Sequence, residues 1–128
     1  EQYGIDISYI DNIVRMQKIT RVPKVQTYFK GVINLRGEII PVMSIRLKLG
    51  LEDDNYTDKT RIIIIKVDGA TIGVIVDQVK EVVTLESTDI ETVARSGSLV
   101  GSGYISAIGK SNDELISLLD IVALIEES

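Results

Sequence analysis

The stretch RIIIIKVDGATIGVIV, residues 61–76, constrains the fold more than any other part of the chain. Its four consecutive Ile leave no polar face for an amphipathic helix. β-Branched side chains are stiff at χ1 and pack well on a pleated surface. The run predicts a strand over Arg61–Val67 that is buried on both faces. Asp68-Gly69 is a strong two-residue hairpin signal, because both residues tolerate the positive φ that tight hairpin turns require. Thr71–Val76 is then the returning strand. A hairpin this apolar must be covered and extended by other strands.

The same alternation and turn chemistry recur along the chain. Tyr3–Ile7 alternates as a short strand, and Ile10 and Ile13 suggest one helical turn over Ser8–Ile13. Val14–Val22 alternates again until Pro23, which cannot donate to a ladder. Lys24–Lys30 reads as a polar connection. GVINLRGEIIPVMSI, residues 31–45, predicts a hairpin turning at Arg36-Gly37, with Pro41 marking an edge strand or a bulge. A short helix ending at Gly50 follows. Glu52–Lys59 is the most polar segment and reads as a loop. Val79–Leu85 is expected as another strand, and Thr88–Ala94 as a short helix capped by Ser87 or Thr88. Arg95–Gly103 is a Gly/Ser loop. Tyr104–Ile108 and Glu114–Asp120 form a hairpin around Ser111-Asn112-Asp113, and Ile121–Ile125 a closing helix. Many short strands with turn signals at this spacing predict a mainly β chain of small barrels or a sandwich.

An internal echo supports two related barrels. Gly31–Ile33, Gly37, Glu38–Ile40 and Ile45 lie beside Gly103–Ile105, Gly109, Glu114–Ile116 and Ile121, with Lys110–Asp113 as four extra turn residues in the second copy. The corresponding halves are approximately 1–60 and 61–128.

Composition narrows the function. Apolar residues are 45% of the 128, enough to bury a core, and the net charge is −5 with a pI of about 4.7. No run of Lys and Arg offers a footprint for phosphate backbones, so nucleic acid is a poor partner. The chain has no Cys and no His. Disulfides, thiolate metal sites, thiol nucleophiles and imidazole acid–base chemistry are therefore excluded. No apolar run is long enough to span a bilayer. The chain opens on Glu1 without an initiating Met and reads as an internal start.

Three apparent motifs fail on their own physical requirements. GYISAIGKS, residues 103–111, places five residues between its glycines where a phosphate loop needs four. Tyr104–Ile108 also alternates as a strand. EDDNYTD, read from Asp53 as a calcium loop, has Asp58 where the turn glycine belongs and Ile64 where the bidentate Glu belongs. Gly97, Gly101 and Gly103 lack the order and the βαβ context of a dinucleotide fingerprint. No cofactor or metal is expected.

The hairpin at Arg36 remains. A solvated Arg is the usual fate of a charge at a turn. The functional reading is that Arg36, flanked by Asn34 and Glu38, projects a planar guanidinium able to meet carboxylates or carbonyls of a partner, and spacing alone favours the solvated one.

KGVINLRGEIIPVMSIRLKLGL, residues 30–51, resembles the signature of the CheW-like domain family of bacterial chemotaxis. QYGIDI (2–7), IGVIVDQV (72–79) and GYISAIGKSNDELISLLDI (103–121) resemble further parts of it, so the likeness spans nearly the whole chain. The resemblance implies two intertwined five-stranded SH3-like β-barrels with short connecting helices. The resemblance implies a further strand before YGIDI; this chain is expected to lack it, which would leave a ladder edge open to strand exchange. No catalysis and no cofactor are implied. The implied role is that of a cytoplasmic adaptor, recruited to membrane-associated receptor clusters without inserting into the bilayer. Its implied partners are the regulatory domain of the histidine kinase CheA and the cytoplasmic tip of methyl-accepting chemoreceptors.

The implied partner-binding residues are Arg36 with its neighbours Asn34 and Gly37, Gly31 on the receptor side, the apolar Ile7, Ile10 and Ile13, and Ile62 beside the groove. Asn12 stands where some members carry Glu, so an ion pair there is not expected. Related modules occur in CheA and CheV, and a module cut from either is an alternative, as is a self-assembling β module.

Overall fold

The computed structural model describes residues 2–92 and 104–126. Among the described residues, nine strands form two sheets. The first sheet has five strands in the order β2-β5-β6-β4-β3, and the second has four described strands in the order β1-β9-β8-β7. Their ranges are β1 Gln2–Gly4, β2 Ile10–Arg15, β3 Phe29–Leu35, β4 Glu38–Ser44, β5 Arg61–Val67, β6 Ala70–Val76, β7 Ile90–Thr92, β8 Ile105–Ser111 and β9 Glu114–Leu119. Two short helices, α1 Ile45–Lys48 and α2 Ile121–Glu126, follow β4 and β9. The two sheets fit the two small SH3-like barrels implied by the resemblance.

The chain divides into two compact units, Ser8–Val79 and the combination of Glu1–Ile7 with Lys80–Ser128. The boundary falls after Val79 rather than near residue 60, because β5 and β6 pair with β2 and β4 of the first unit. β1, from the start of the chain, pairs in parallel with β9 of the second.

The first unit is organised by the β5–β6 hairpin. Ile62, Ile63, Ile64 and Ile65 are all buried, so both faces of β5 are covered, as the Ile run predicts. Asp68 and Gly69 form the turn, with φ of 51° and 80°. Ile33, Ile40, Val42, Ile62, Ile64 and Ile75 make one buried cluster. Val14 and Leu35 also pack against it, although their strands lie at opposite edges of the sheet order. The sheet is therefore curled around this core. α1 starts at Ser44, whose hydroxyl accepts from the Leu47 N–H, and it ends in a Schellman motif. There Gly50 donates to the Leu47 carbonyl and Leu51 to that of Arg46, with Gly50 at φ 80°.

Several expected elements differ. The helical turn is a 3₁₀ turn over Ile7–Tyr9, and β2 begins at Ile10 and ends at Arg15. Of the rest of Val14–Val22, only Thr20 pairs, in a single bridge to Val32. β4, which carries Pro41, is an inner strand. The proline is tolerated because Val32 opposite exchanges both its hydrogen bonds with Thr20, and pairing to β6 starts only at Val42. Val79–Leu85 forms no strand. Ser87–Asp89 is a 3₁₀ turn, capped by Glu86 in place of Ser87 or Thr88, and it leads into β7. Residues 93–103, which include the whole of the expected Gly/Ser loop and the end of the expected helix over Thr88–Ala94, lie outside the described residues.

The internal echo recurs as an order of elements, but in a different register from the one expected. Each copy is a strand, a two-residue turn, a strand and a short helix. The turns are Arg36-Gly37 and Asn112-Asp113, all four with positive φ. Each first strand carries one bulged residue, Lys30 or Ser106, six residues before its turn. Counted from bulge to turn, Arg36 therefore corresponds to Asn112, and no insertion is needed. The parallel neighbours match as well. Gly73 of β6 pairs with Val42 and Gly4 of β1 with Leu118, each four residues into its β4-type strand.

Candidate functional site

The site is built on the β3–β4 hairpin. Leu35 and Glu38 close the ladder, leaving Arg36-Gly37 as a two-residue turn. Arg36 has φ 55° and Gly37 φ 85°, the positive pair that marks a type I′ turn. The Asn34 Oδ1 accepts a hydrogen bond from the Gly37 N–H at 3.0 Å, which fixes the tip. No atom would obstruct a Cβ at Gly37, so that glycine is needed for its backbone angle rather than for space. Asn34, Arg36, Gly37 and Glu38 are all exposed, and no described carboxylate pairs with Arg36. The hairpin thus presents an unpaired guanidinium on a turn braced by its own neighbours.

The other implied residues divide sharply. Ile13, on edge strand β2, is 43% exposed, and Ile10 is half-buried. Ile7 is 59% exposed and belongs to the other compact unit, immediately before the boundary. Asn12 is half-buried, with its Oδ1 buried and unpartnered among the described groups. Ile62 is 0% exposed and sits in the core cluster, so its side chain cannot meet a partner. Gly31 is buried too. With φ 139°, it lies so close to the neighbouring chain that a Cβ would fall 2.1 Å from the Thr20 carbonyl oxygen. Its glycine is required for that approach, and it offers no contact surface.

Ile39 is the residue that sequence reasoning missed. It is 60% exposed, beside Asn34 across the ladder. The signal was present in Ile39-Ile40: consecutive strand residues point to opposite faces, and Ile40 is the buried one. Arg36 and Ile39 together give the tip a charged and an apolar element.

Among the described residues, no three His, Cys, Asp or Glu are grouped to hold a metal, and no helix is long and apolar enough to cross a membrane.

The model of the CheW-like domain matches residues 1–128. The chain belongs to the CheW-like domain family. It is 35% identical to the chemotaxis protein CheW of Bacillus subtilis, over 99% of this chain and 81% of that one. It is 33% identical to CheW of Helicobacter pylori, over 99% and 76%. The crystal structure of the scaffolding protein TtCheW from Thermoanaerobacter tengcongensis superposes with a TM-score of 0.87 at 31% identity, over 97% of this chain and 84% of that one. Both compact units of this CheW-like chain therefore have counterparts in a scaffolding protein of known structure.

Proposed function

We propose that this CheW-like chain is a non-catalytic chemotaxis adaptor that couples transmembrane chemoreceptors to the histidine kinase CheA, with the Arg36 turn as a contact. Its place is then the cytoplasmic face of receptor clusters. One observation carries the reading. Three hairpins of this chain close with two residues at positive φ, and two of them use Asp68-Gly69 and Asn112-Asp113. Those residue types suit left-handed backbone. The third places Arg36 there, where local turn chemistry disfavours it. Strain of about 1–3 kcal/mol at such a position persists where the residue serves something other than the turn. A bidentate guanidinium contact to a partner carboxylate supplies the reason.

The test is Arg36→Glu. Its melting should shift by no more than roughly half a kcal/mol in stability, as for other exposed substitutions. Its binding to CheA or to a receptor cytoplasmic fragment, measured by calorimetry, should weaken by about 2–5 kcal/mol. Arg36→Lys should recover part of the loss, since an ammonium cannot reproduce the fork. Normal binding of both partners by Arg36→Glu would refute the reading.

A further inference from the structure

Between Asp11 and Glu38 the chain contains six of its fourteen Lys and Arg and no acidic residue, although its net charge is −5. The cations are spaced along the segment, so they form no contiguous run. The fold gathers three of them with one apolar pair. Lys18, Arg21 and Lys24 line a broad concavity of about 1180 Å³, together with Val22 and Val25. All five residues are exposed, the two valines by 42% and 43%. No described carboxylate pairs with Lys18, Arg21 or Lys24. The one acid on the lining, Asp53, is taken by Lys30.

Two further features set this surface apart. Lys24 has φ 62°, so a lysine is held in left-handed backbone within it, as Arg36 is at its turn. The surface also lies at the other end of β3 from Arg36. Phe29 and Lys30 border it, and the rise of a strand puts Arg36 about 20 Å further along.

We infer that this concavity is a second docking surface, and that its occupant is an acidic segment of a partner protein carrying at least one bulky apolar side chain. The charge argues for the acids: three neighbouring cations without counter-charges repel one another, and a polyanionic segment relieves that. Exposed Val22 and Val25 argue for the apolar residue, since a purely electrostatic surface has no use for them. The proposal does not depend on Arg36 contacting either partner.

The experiment uses the full chain. The probe is a short fluorescein-labelled peptide of Glu and Asp around one central Leu, followed by anisotropy at low and high salt. Binding is expected, weakening as salt rises. The variant Lys18→Glu/Arg21→Glu/Lys24→Glu should bind about tenfold or more weakly, since three attractions become repulsions. Val22→Ser/Val25→Ser should also lose affinity. Arg36→Glu should bind the peptide normally, which separates this proposal from the adaptor reading. If the charge-reversed chain does not fold, Lys18→Gln/Arg21→Gln/Lys24→Gln carries the same test with a smaller loss. Equal binding by the wild type and the folded variant would overturn the inference, as would equal binding of a Gln and Asn version of the peptide. So would failure to hold the peptide while phosphatidylglycerol vesicles are bound, since the surface would then serve a membrane.

Discussion

Gly31 shows how much a single residue can depend on chain that is distant in sequence. The resemblance pointed to it as a contact, and nothing in its neighbours said otherwise. Its constraint comes from Thr20, which approaches only because Thr20 and Val32 exchange two hydrogen bonds of 2.8 Å. Gly31→Ala combines a clash with backbone at an unfavourable φ, and should cost roughly 3 kcal/mol or more in a urea titration. A loss under about 1 kcal/mol would mean that the Thr20 strand moves away freely.

Asp53 and Asp54 make the complementary point about adjacent acids. The Lys30 hydrogen bond holds the Asp53 carboxyl below the usual aspartate range. Burial pushes the Asp54 carboxyl up, against the opposing pull of the Ser44 side chain and the Lys30 charge. The signs differ accordingly. Asp53 contributes stability above the ordinary aspartate pKa, and this is lost as pH falls through its lowered value. Ionised Asp54 works against folding, so its favourable contribution is full below the ordinary pKa and is lost as pH rises through its raised value. Asp54→Asn should raise the melting temperature by a few degrees at neutral pH. The gain should shrink as melts are taken down toward about pH 3, where the wild-type carboxyl is already neutral. A gain independent of pH would assign the effect to packing.

At the scale of elements, hairpins were legible and isolated strands were not. Asp68-Gly69, Arg36-Gly37 and Asn112-Asp113 specify their turns locally, and each is flanked by enough apolar residues to fix the two arms. Val14–Val22 and Val79–Leu85 alternate just as well, yet a strand exists only where a neighbour completes its ladder. Beyond Arg15 the first segment finds a partner at Thr20 alone, and the second finds none. Val82 is consequently 76% exposed. The four-Ile run was legible for the opposite reason, since its burial needs no particular partner, only complete cover. Ile64 is 1% exposed within the cluster shared by β3, β4, β5 and β6. Ile64→Ala should therefore cost about 2–5 kcal/mol, through lost transfer energy and the cavity left behind. Equilibrium denaturation checks this. A loss below about half a kcal/mol would contradict the packing described.

For the whole molecule, the duplication separates what the fold requires from what a partner requires. Both copies need a strand, a turn at positive φ, a second strand and a helix, and both place one bulge at the same distance from the turn. That common pattern was visible in the sequence only as an echo, because the two copies share few identities and the turn chemistry differs. The candidate site was less legible still: the Arg36 tip was found from the signature, Ile39 beside it was not, and Ile62 belongs to the core. The equivalent positions of Arg36 and Asn112 allow a direct test of the division. Arg36→Asn removes a strained residue and should stabilise by about 0.5–1 kcal/mol, while Asn112→Arg should cost a similar amount. The double variant, with the two residues exchanged between hairpins, should then denature close to the wild type, since the changes lie in separate hairpins and should add. Partner binding should remain lost, because the arginine has been moved away from Ile39 and Asn34. Recovery of CheA or receptor binding by the exchanged chain would show that either tip can present the arginine, and that its surroundings at residues 34–39 do not matter.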